Sequence, residues 1–265
     1  MRFNVTLLAF ALMTATVLTA APPRPIPSGP LVEARQILVV VTPGFDSVDG
    51  RLQRYERSKA NASWKPVGGS IAIVVGKRGL AWGRGLASAP TNGQPIKQEG
   101  DGRSPAGIFR LGKAFGYAPV ALAGSRLTYV TLTPSMECVD DTRSQHYNRI
   151  VDRSQLSADW NSSEHMRDTG ESYRWGIVVD HNGIAESSSS PKIVAGAGSC
   201  IFLHIWKGPG HGTAGCTAMA ADDIETLLRW LDPADNPALV QLTAEDYARL
   251  MPIWHLPLEV NLPAR

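Results

Sequence analysis

His204 and Cys216 flank a connection rich in glycine, with Gly208, Gly210 and Gly212 between them. An apolar run, Ile201 to Trp206, reads as a buried strand that carries His204. The connection delivers Cys216 directly after Gly215, and a helical segment starts near Ala221. A histidine on a rigid strand and a cysteine on a tight turn suit a thiol–imidazole pair. The thiolate is the nucleophile in such chemistry, so a base or a cation must lower the thiol's pKa. A small residue before Cys216 admits substrate, and the backbone N–H groups of Gly215 and Cys216 can face a developing oxyanion. Residue types alone leave a plain alternative. A buried strand histidine is more often a hydrogen-bonded core residue, and a cysteine among small residues is often a packed thiol.

The surrounding residues bear on that choice. Thr213-Ala214-Gly215-Cys216, with His204 upstream, resembles the catalytic signature of the YkuD-type L,D-transpeptidases: a histidine, a variable spacer, then Ser/Thr-x-Gly-Cys. A second block, Gly100-Asp101-Gly102-Arg103-Ser104-Pro105-Ala106-Gly107-Ile108-Phe109, is similar to the family's Thr/Ser-Pro-x-Gly-x-Phe segment. Two separated motifs in the right order favour the catalytic reading. The commoner form has histidine before the glycine, where this chain has Ala214. It has Arg or Asn shortly after the cysteine, where this chain has Thr217-Ala218-Met219. The spacer from His204 to Cys216 is also short. The chain therefore resembles a divergent branch, over residues 65–232.

The resemblance implies a YkuD-like fold, mainly β with a few helices (α+β), and peptidoglycan stem peptides as partners and substrates. It implies Cys216 as nucleophile, His204 as general base and then acid, and the N–H of Gly215 as an oxyanion donor. Ser104, Pro105, Gly107 and Thr213 become candidates for the substrate groove. For the Ser104 to Gly107 block, a simple turn into the next strand is the competing reading. No metal or cofactor is required. Two alternatives stay open: a carboxypeptidase or amidase that hydrolyses the same thioacyl intermediate, and a catalytically silent wall-binding module.

The rest of the chain must position this pair. Met1 to Ala21 reads as a secretory signal peptide: Arg2, an apolar stretch from Val5 to Leu18, small residues Thr19-Ala20-Ala21, then Pro22-Pro23. The apolar run is shorter than the ~20 residues a membrane span needs, and no cysteine lies near the cleavage region. The protein is therefore expected to be exported, to the periplasm or cell envelope, without stable membrane insertion. A formal net charge of +2 is too mild to argue for nucleic acid. With 25 glycines, 19 prolines and 19% charged residues, the composition favours a β-rich domain with long loops.

Residues 22–64 combine a Pro-rich leader, a strand at Gln36 to Thr42, and a segment, Asp49 to Lys59, whose Leu52 and Tyr55 at helical spacing predict a short helix. Val32 to Trp64 is either the first layer of the catalytic domain or a small adjunct. The domain itself is expected over 65–232. Strands are read at Val67 to Gly76, Gly79 to Gly83, Gly107 to Leu111, Leu127 to Thr133 and Trp175 to Gly183, the last ending in an Asn182-Gly183 turn. Ile224, Leu227, Leu228 and Leu231 make the apolar stripe of a helix. Residues 233–265 read as a C-terminal tail with an edge strand at Pro237 to Leu242, clipped to the body by Trp254 and Leu256.

Glu137 to Asp141 and Ser144 to Asn148 read as a polar loop, and Asp159 to Met166 as a surface loop leading into a helical turn. Asp140, Asp141 and His146 have no compact zinc or calcium spacing, so no metal is assigned. His181 and His211 are weaker candidates for the base. Three cysteines in an exported chain leave one free. Either Cys138 pairs with Cys200 and Cys216 stays free, or Cys138 and Cys200 are two buried thiols.

Overall fold

Residues 1, 29–88, 93–186 and 190–258 are described in the computed structural model; the signal-peptide segment and most of the Pro-rich leader lie outside them. The branched run of β1, Gln36–Thr42, is buried at every position. It pairs antiparallel with β2, Asp49–Glu56, and parallel with β13, Ala238–Thr243, the last strand among the described residues. β2 leads to β3, Lys65–Val74, then β4, Leu80–Trp82, and the long β5, Ser104–Gly116. β6, Tyr129–Thr131, pairs with the end of β5. β10, Trp175–Val179, β11, Phe202–Ile205, and β12, Thr217–Met219, follow.

Hydrogen bonding runs β10-β11-β12-β3-β2-β1-β13-β5, and β5 pairs back onto β10, so eight strands close into a ring. β5 manages this by length. Its first half pairs with β4 and β13, and its second half with β10 and β6. Helix α1, Ala221–Trp230, packs on β10 and β11, with Ile224, Leu227 and Leu228 buried. Helix α2, Ala244–Trp254, packs on β13 and β1.

Three expectations are corrected here. Asp49 to Lys59 is not helical. Leu52 pairs with Val40 and Tyr55 with Ile37 in one continuous register, so the two side chains point to opposite faces. Each face is covered along part of the strand: Gly50 and Leu52 are buried on one, Gln53 and Tyr55 on the other, while Asp49, Arg51 and Glu56 are exposed. Arg54, on the Leu52 face, sits over the Trp230 ring of α1, and Tyr55 lines the cavity beside Trp254 of α2. Where the buried face changes sides between Leu52 and Gln53 the period of two is broken, and a spacing of three then imitates a helix. Val32 to Trp64 accordingly supplies interior strands of the main sheet. The Pro237 to Leu242 segment is interior as well, not an edge, because Pro237 precedes the strand and removes no ladder donor from it. The C-terminal tail contains α2. Its signal is a capping box: Thr243 Oγ1 accepts from the N–H of Asp246 at 3.1 Å. Pro252 inside the helix obscured it. Trp254 and Leu256 are buried and do hold the tail to the body.

The segment between β5 and β10 adds a small second sheet of β7, Met136–Val139, β8, Ile150–Asp152, and β9, Ser163–His165, in the order β8-β7-β9. The polar loops expected there are strands in part. Glu137, Asp141, Ser144 and Asn148 among their polar residues are buried, whereas Gln145 is exposed. The buried Glu137 carboxylate accepts from Trp160 Nε1 at 2.8 Å and Ser163 Oγ at 2.7 Å. Cys138 of β7 is disulfide-bonded to Cys200, with Cα atoms 6.0 Å apart, which ties the small sheet to the entry of β11. The bridge closes a sequence separation of 62 residues, a loop for which the chain-entropy model gives about 4 kcal/mol. Reduction is therefore expected to lower unfolding stability by that order, read as the shift in guanidinium midpoint with and without dithiothreitol.

Candidate active site

β11 lies between β10 and β12, and its connection to the parallel β12 is the glycine-rich loop itself. Gly208 and Gly210 adopt φ of 123° and 73°, which only glycine takes freely. Asp49 Oδ1 accepts from the Gly210 N–H at 3.0 Å and tethers the loop. His204 is buried on β11, with Nδ1 2.8 Å from the carbonyl oxygen of Ile205. A carbonyl only accepts, so Nδ1 carries the proton and Nε2 keeps its lone pair. Burial, with Lys207 adding to it and the Ile205 bond opposing it, brings the imidazole down to about 4. At neutral pH it is an uncharged base.

The backbone of Cys216 is fixed by the two sequence motifs together. Its carbonyl accepts from Ser104 Oγ at 2.7 Å and from Thr213 Oγ1 at 2.5 Å. Those hydroxyls in turn accept from the N–H groups of Gly76, at 2.8 Å, and Gly215, at 3.1 Å. A Cβ at position 215 would lie 3.2 Å from the Arg103 carbonyl and 3.4 Å from Ile201. Close packing against the segments before β5 and β11 thus favours a small residue there. The N–H of Gly215, expected to face an oxyanion, is engaged by Thr213 in this state.

The Cys216 sulfur is buried. The Phe202 N–H donates to it at 3.3 Å, and it lies 3.4 Å from the Cys200 carbonyl. Burial pushes the thiol up to about 12, reinforced by Glu164 and opposed by the Phe202 N–H, the Tyr173 hydroxyl and Lys97. The sequence argument required a lowered thiol; desolvation outweighs the available donors. The resting pair is a neutral thiol beside a neutral imidazole, with no hydrogen bond between the two side chains among the described residues.

Cys216 and His204 open on one groove of about 770 Å³. Asp140, Glu164 and Asp168 contribute carboxylates to it, and Lys207 and His211 contribute from the glycine-rich loop. Thr213 lines it, but Ser104, Pro105 and Gly107 do not. Ser104 is buried against Cys216, the Pro105 carbonyl accepts from Gln241 Nε2 at 2.8 Å, and Gly107, at φ 138°, backs onto the Phe109 ring. These three shape the scaffold beneath the cysteine loop.

The other histidines separate clearly. His181 is buried with both nitrogens committed: Nδ1 accepts from the Arg84 N–H, and Nε2 donates to the Ala197 carbonyl. His211 sits on the rim, with Nδ1 toward the Pro209 carbonyl. Asp141 takes Arg143 and the Asn161 N–H, Asp140 takes the Ser162 hydroxyl, and His146 packs edge-on to Trp160. Sequence reasoning missed Tyr173 and Glu164, whose hydroxyl and carboxylate are 2.7 Å apart next to the thiol. It also missed Asn148, whose Oδ1 accepts from the Cys200 N–H at 3.0 Å and so fixes the disulfide end. None of the three sits in a periodic or motif context.

A family model for the YkuD L,D-transpeptidase catalytic domain matches residues 45–241. The chain belongs to that family. No curated protein and no solved structure matches it. The match extends beyond the motif-bearing region at both ends, from just before β2 into β13, and leaves the ring strand β1 outside it. YkuD domains act on peptidoglycan. No helix among the described residues is long and apolar enough to cross a membrane.

Two outcomes follow from the buried pair. The free thiol of Cys216, held up to about 12, is expected to alkylate slowly at pH 7. Its iodoacetamide rate should still be rising at pH 10, whereas an unperturbed thiol levels off above about 8.5. Ser104→Ala removes one donor to the Cys216 carbonyl and leaves the Gly76 N–H unpaired. It is expected to cost about 1–3 kcal/mol in chemical denaturation, with loss of turnover out of proportion to any change in KM.

Proposed function

We propose that the protein is an exported L,D-transpeptidase that cross-links peptidoglycan stem peptides through a thioacyl intermediate on Cys216. The observation that carries this reading is the Ile205 bond to His204 Nδ1, which reserves Nε2 as a base in the groove that holds Cys216. As the sulfur attacks the carbonyl joining the third residue of the donor stem to its D-alanine, the thiol proton passes to His204 Nε2. The imidazolium then protonates the leaving amine, D-alanine departs, and a thioester remains. An amine of a second stem attacks, gives its proton to His204, and the thiol is regenerated as the amide forms. The neutral resting pair supports proton transfer in step with attack, because neither ion is stable alone in a buried site.

The developing oxyanion would take the backbone donors of the cysteine loop, the N–H of Gly215 exchanging its 3.1 Å bond to Thr213 for the substrate. Carboxylates and cationic side chains in one groove suit a stem peptide, which carries both ammonium and carboxylate groups. Export rests on the signal-peptide pattern of Met1 to Ala21.

The deciding experiment incubates the mature protein and its Cys216→Ala form with tetrapeptide muropeptides and analyses products by mass spectrometry. Cross-linked dimers with free D-alanine, absent for the alanine form, are expected. Tripeptide monomers with D-alanine would reassign the enzyme as an L,D-carboxypeptidase on the same residues. Product formation by the alanine form would overturn the mechanism, and absence of product from both would favour a silent wall-binding module.

A further inference from the structure

The groove carries a buried cation that the nucleophile–base pair does not use. Lys97 lies in the segment before β5 and lines the groove together with Gly215 and Cys216. Its side chain is only 4% exposed. The stem passes against Gly198, where a Cβ would come within 3.0 Å of Lys97 Cε. Gly198 takes φ 94°, a conformation that favours glycine, and the missing side chain leaves the stem its path. The tip ends beside the cysteine loop: Nζ is 3.9 Å from where a Cβ would stand on Gly215. Its charge is felt at the sulfur, where it opposes the upward shift of the thiol.

An ammonium has three hydrogens to place. Asp101 Oδ1 accepts from Lys97 Nζ at 2.6 Å and the Gln98 carbonyl at 2.7 Å. No further acceptor among the described residues takes the third. Bracing the turn does not account for the lysine, because Asp101 already closes it. The Asp101 carboxylate accepts from the N–H groups of Gln98 and Arg103, each at 2.9 Å. A buried ammonium is costly unless its hydrogens are satisfied, and one remains for a ligand. Lys207 and His211, the groove's residues on the glycine-rich loop, are exposed instead. Of the groove carboxylates, Asp140, Glu164 and Asp168 come from the small sheet and the turn after it. Glu99 is occupied by the Tyr147 and Ser199 hydroxyls.

We propose that Lys97 is a specificity-determining residue: its third ammonium hydrogen binds the α-carboxylate of the residue that leaves when Cys216 is acylated. That carboxylate lies one residue beyond the scissile carbonyl, so a cation beside the cysteine loop is at the depth it reaches. The lysine thereby selects stems that end with the leaving residue. The identity of the occupant rests on the function proposed above; the anion subsite is tested without peptidoglycan.

Cys216 is the free cysteine beside one disulfide, so intact-mass kinetics of alkylation report on it alone. Iodoacetate and iodoacetamide are close in shape, but iodoacetate carries a carboxylate next to the carbon the sulfur attacks. The ratio of their rates at one pH cancels any change in thiolate fraction. Lys97→Met alone would leave Asp101 unpaired, so the comparison uses Asp101→Asn, and Asp101→Asn combined with Lys97→Met. Adding Lys97→Met is expected to lower the iodoacetate-to-iodoacetamide ratio about tenfold, as for one charge-assisted hydrogen bond. Asp101→Asn alone keeps the ammonium without its counter-charge and is expected to raise the ratio above the wild type. It supplies the reading if the double variant does not fold. An Asp101→Asn ratio no higher than the wild type, or a ratio that Lys97→Met does not lower, overturns the proposal.

A second arm compares a tetrapeptide muropeptide with the same molecule amidated at its terminal carboxylate. The wild type is expected to prefer the free acid about tenfold in kcat/KM, and the double variant to lose that preference. Turnover of both forms at equal kcat/KM by the wild type overturns the proposal and leaves the transpeptidase reading standing. A shifted reagent ratio without product from either muropeptide upholds the anion subsite while removing the substrate assignment.

Discussion

One carbonyl holds the site together. The main-chain oxygen of Cys216 receives hydroxyls from Ser104 and Thr213, residues far apart in the sequence. Each hydroxyl also relays a backbone N–H, from Gly76 and Gly215 respectively. The cysteine loop, the turn after β3 and the start of β5 are thereby locked to one point. The next residue extends the lock. Thr217 Oγ1 bonds to Gln241 Oε1 at 2.7 Å, and Gln241 Nε2 returns to the Pro105 carbonyl. A hydroxyl residue is needed at both motif positions because a buried carbonyl and two buried N–H groups must be satisfied at once. The motif thus reports on how the backbone is held as much as on what touches substrate.

The electrostatics follow from the same enclosure. Sealing the loop against β11 removes water from both Cys216 and His204, and each is driven toward its neutral form. The Ile205 carbonyl fixes the imidazole tautomer without adding a charge. The charge that bears most on the thiol is the Glu164 carboxylate, which raises it, so this site differs from pairs in which a cation stabilises a standing thiolate. The scaffold sets the ionisation state, and substrate must supply the conditions for moving the proton.

Much of this was legible in the chain. Apolar continuity marked β1, β3 and β11, and the i, i+3, i+4, i+7 stripe marked α1. His204 and Cys216 stood out because a motif combined two rare residue types with glycine. What failed did so for identifiable reasons. The buried face of β2 changes sides between Leu52 and Gln53, so its pattern lost the strand period. β7 and β9 are three or four residues long, too short for any period to register. Ser104, Pro105 and Gly107 were recognisable as important, but residue type does not say whether a residue faces a groove or the backbone beneath it. Glu164 and Tyr173 reach the thiol only through tertiary packing, which no local signal encodes.

The ring has a consequence in time as well as in space. β1 is among the first strands made, and its second neighbour, β13, is the last. Until residues 238–243 arrive, β1 has an open side, β5 lacks its β13 partner from Gly107 to Arg110, and Gln241 is not there to brace Thr217. The cysteine loop therefore acquires its final support only from the end of the chain. Such distant pairings are slow to find. A partly synthesised chain would carry Cys216 without the scaffold that holds it, so the site is complete only once the whole domain has assembled.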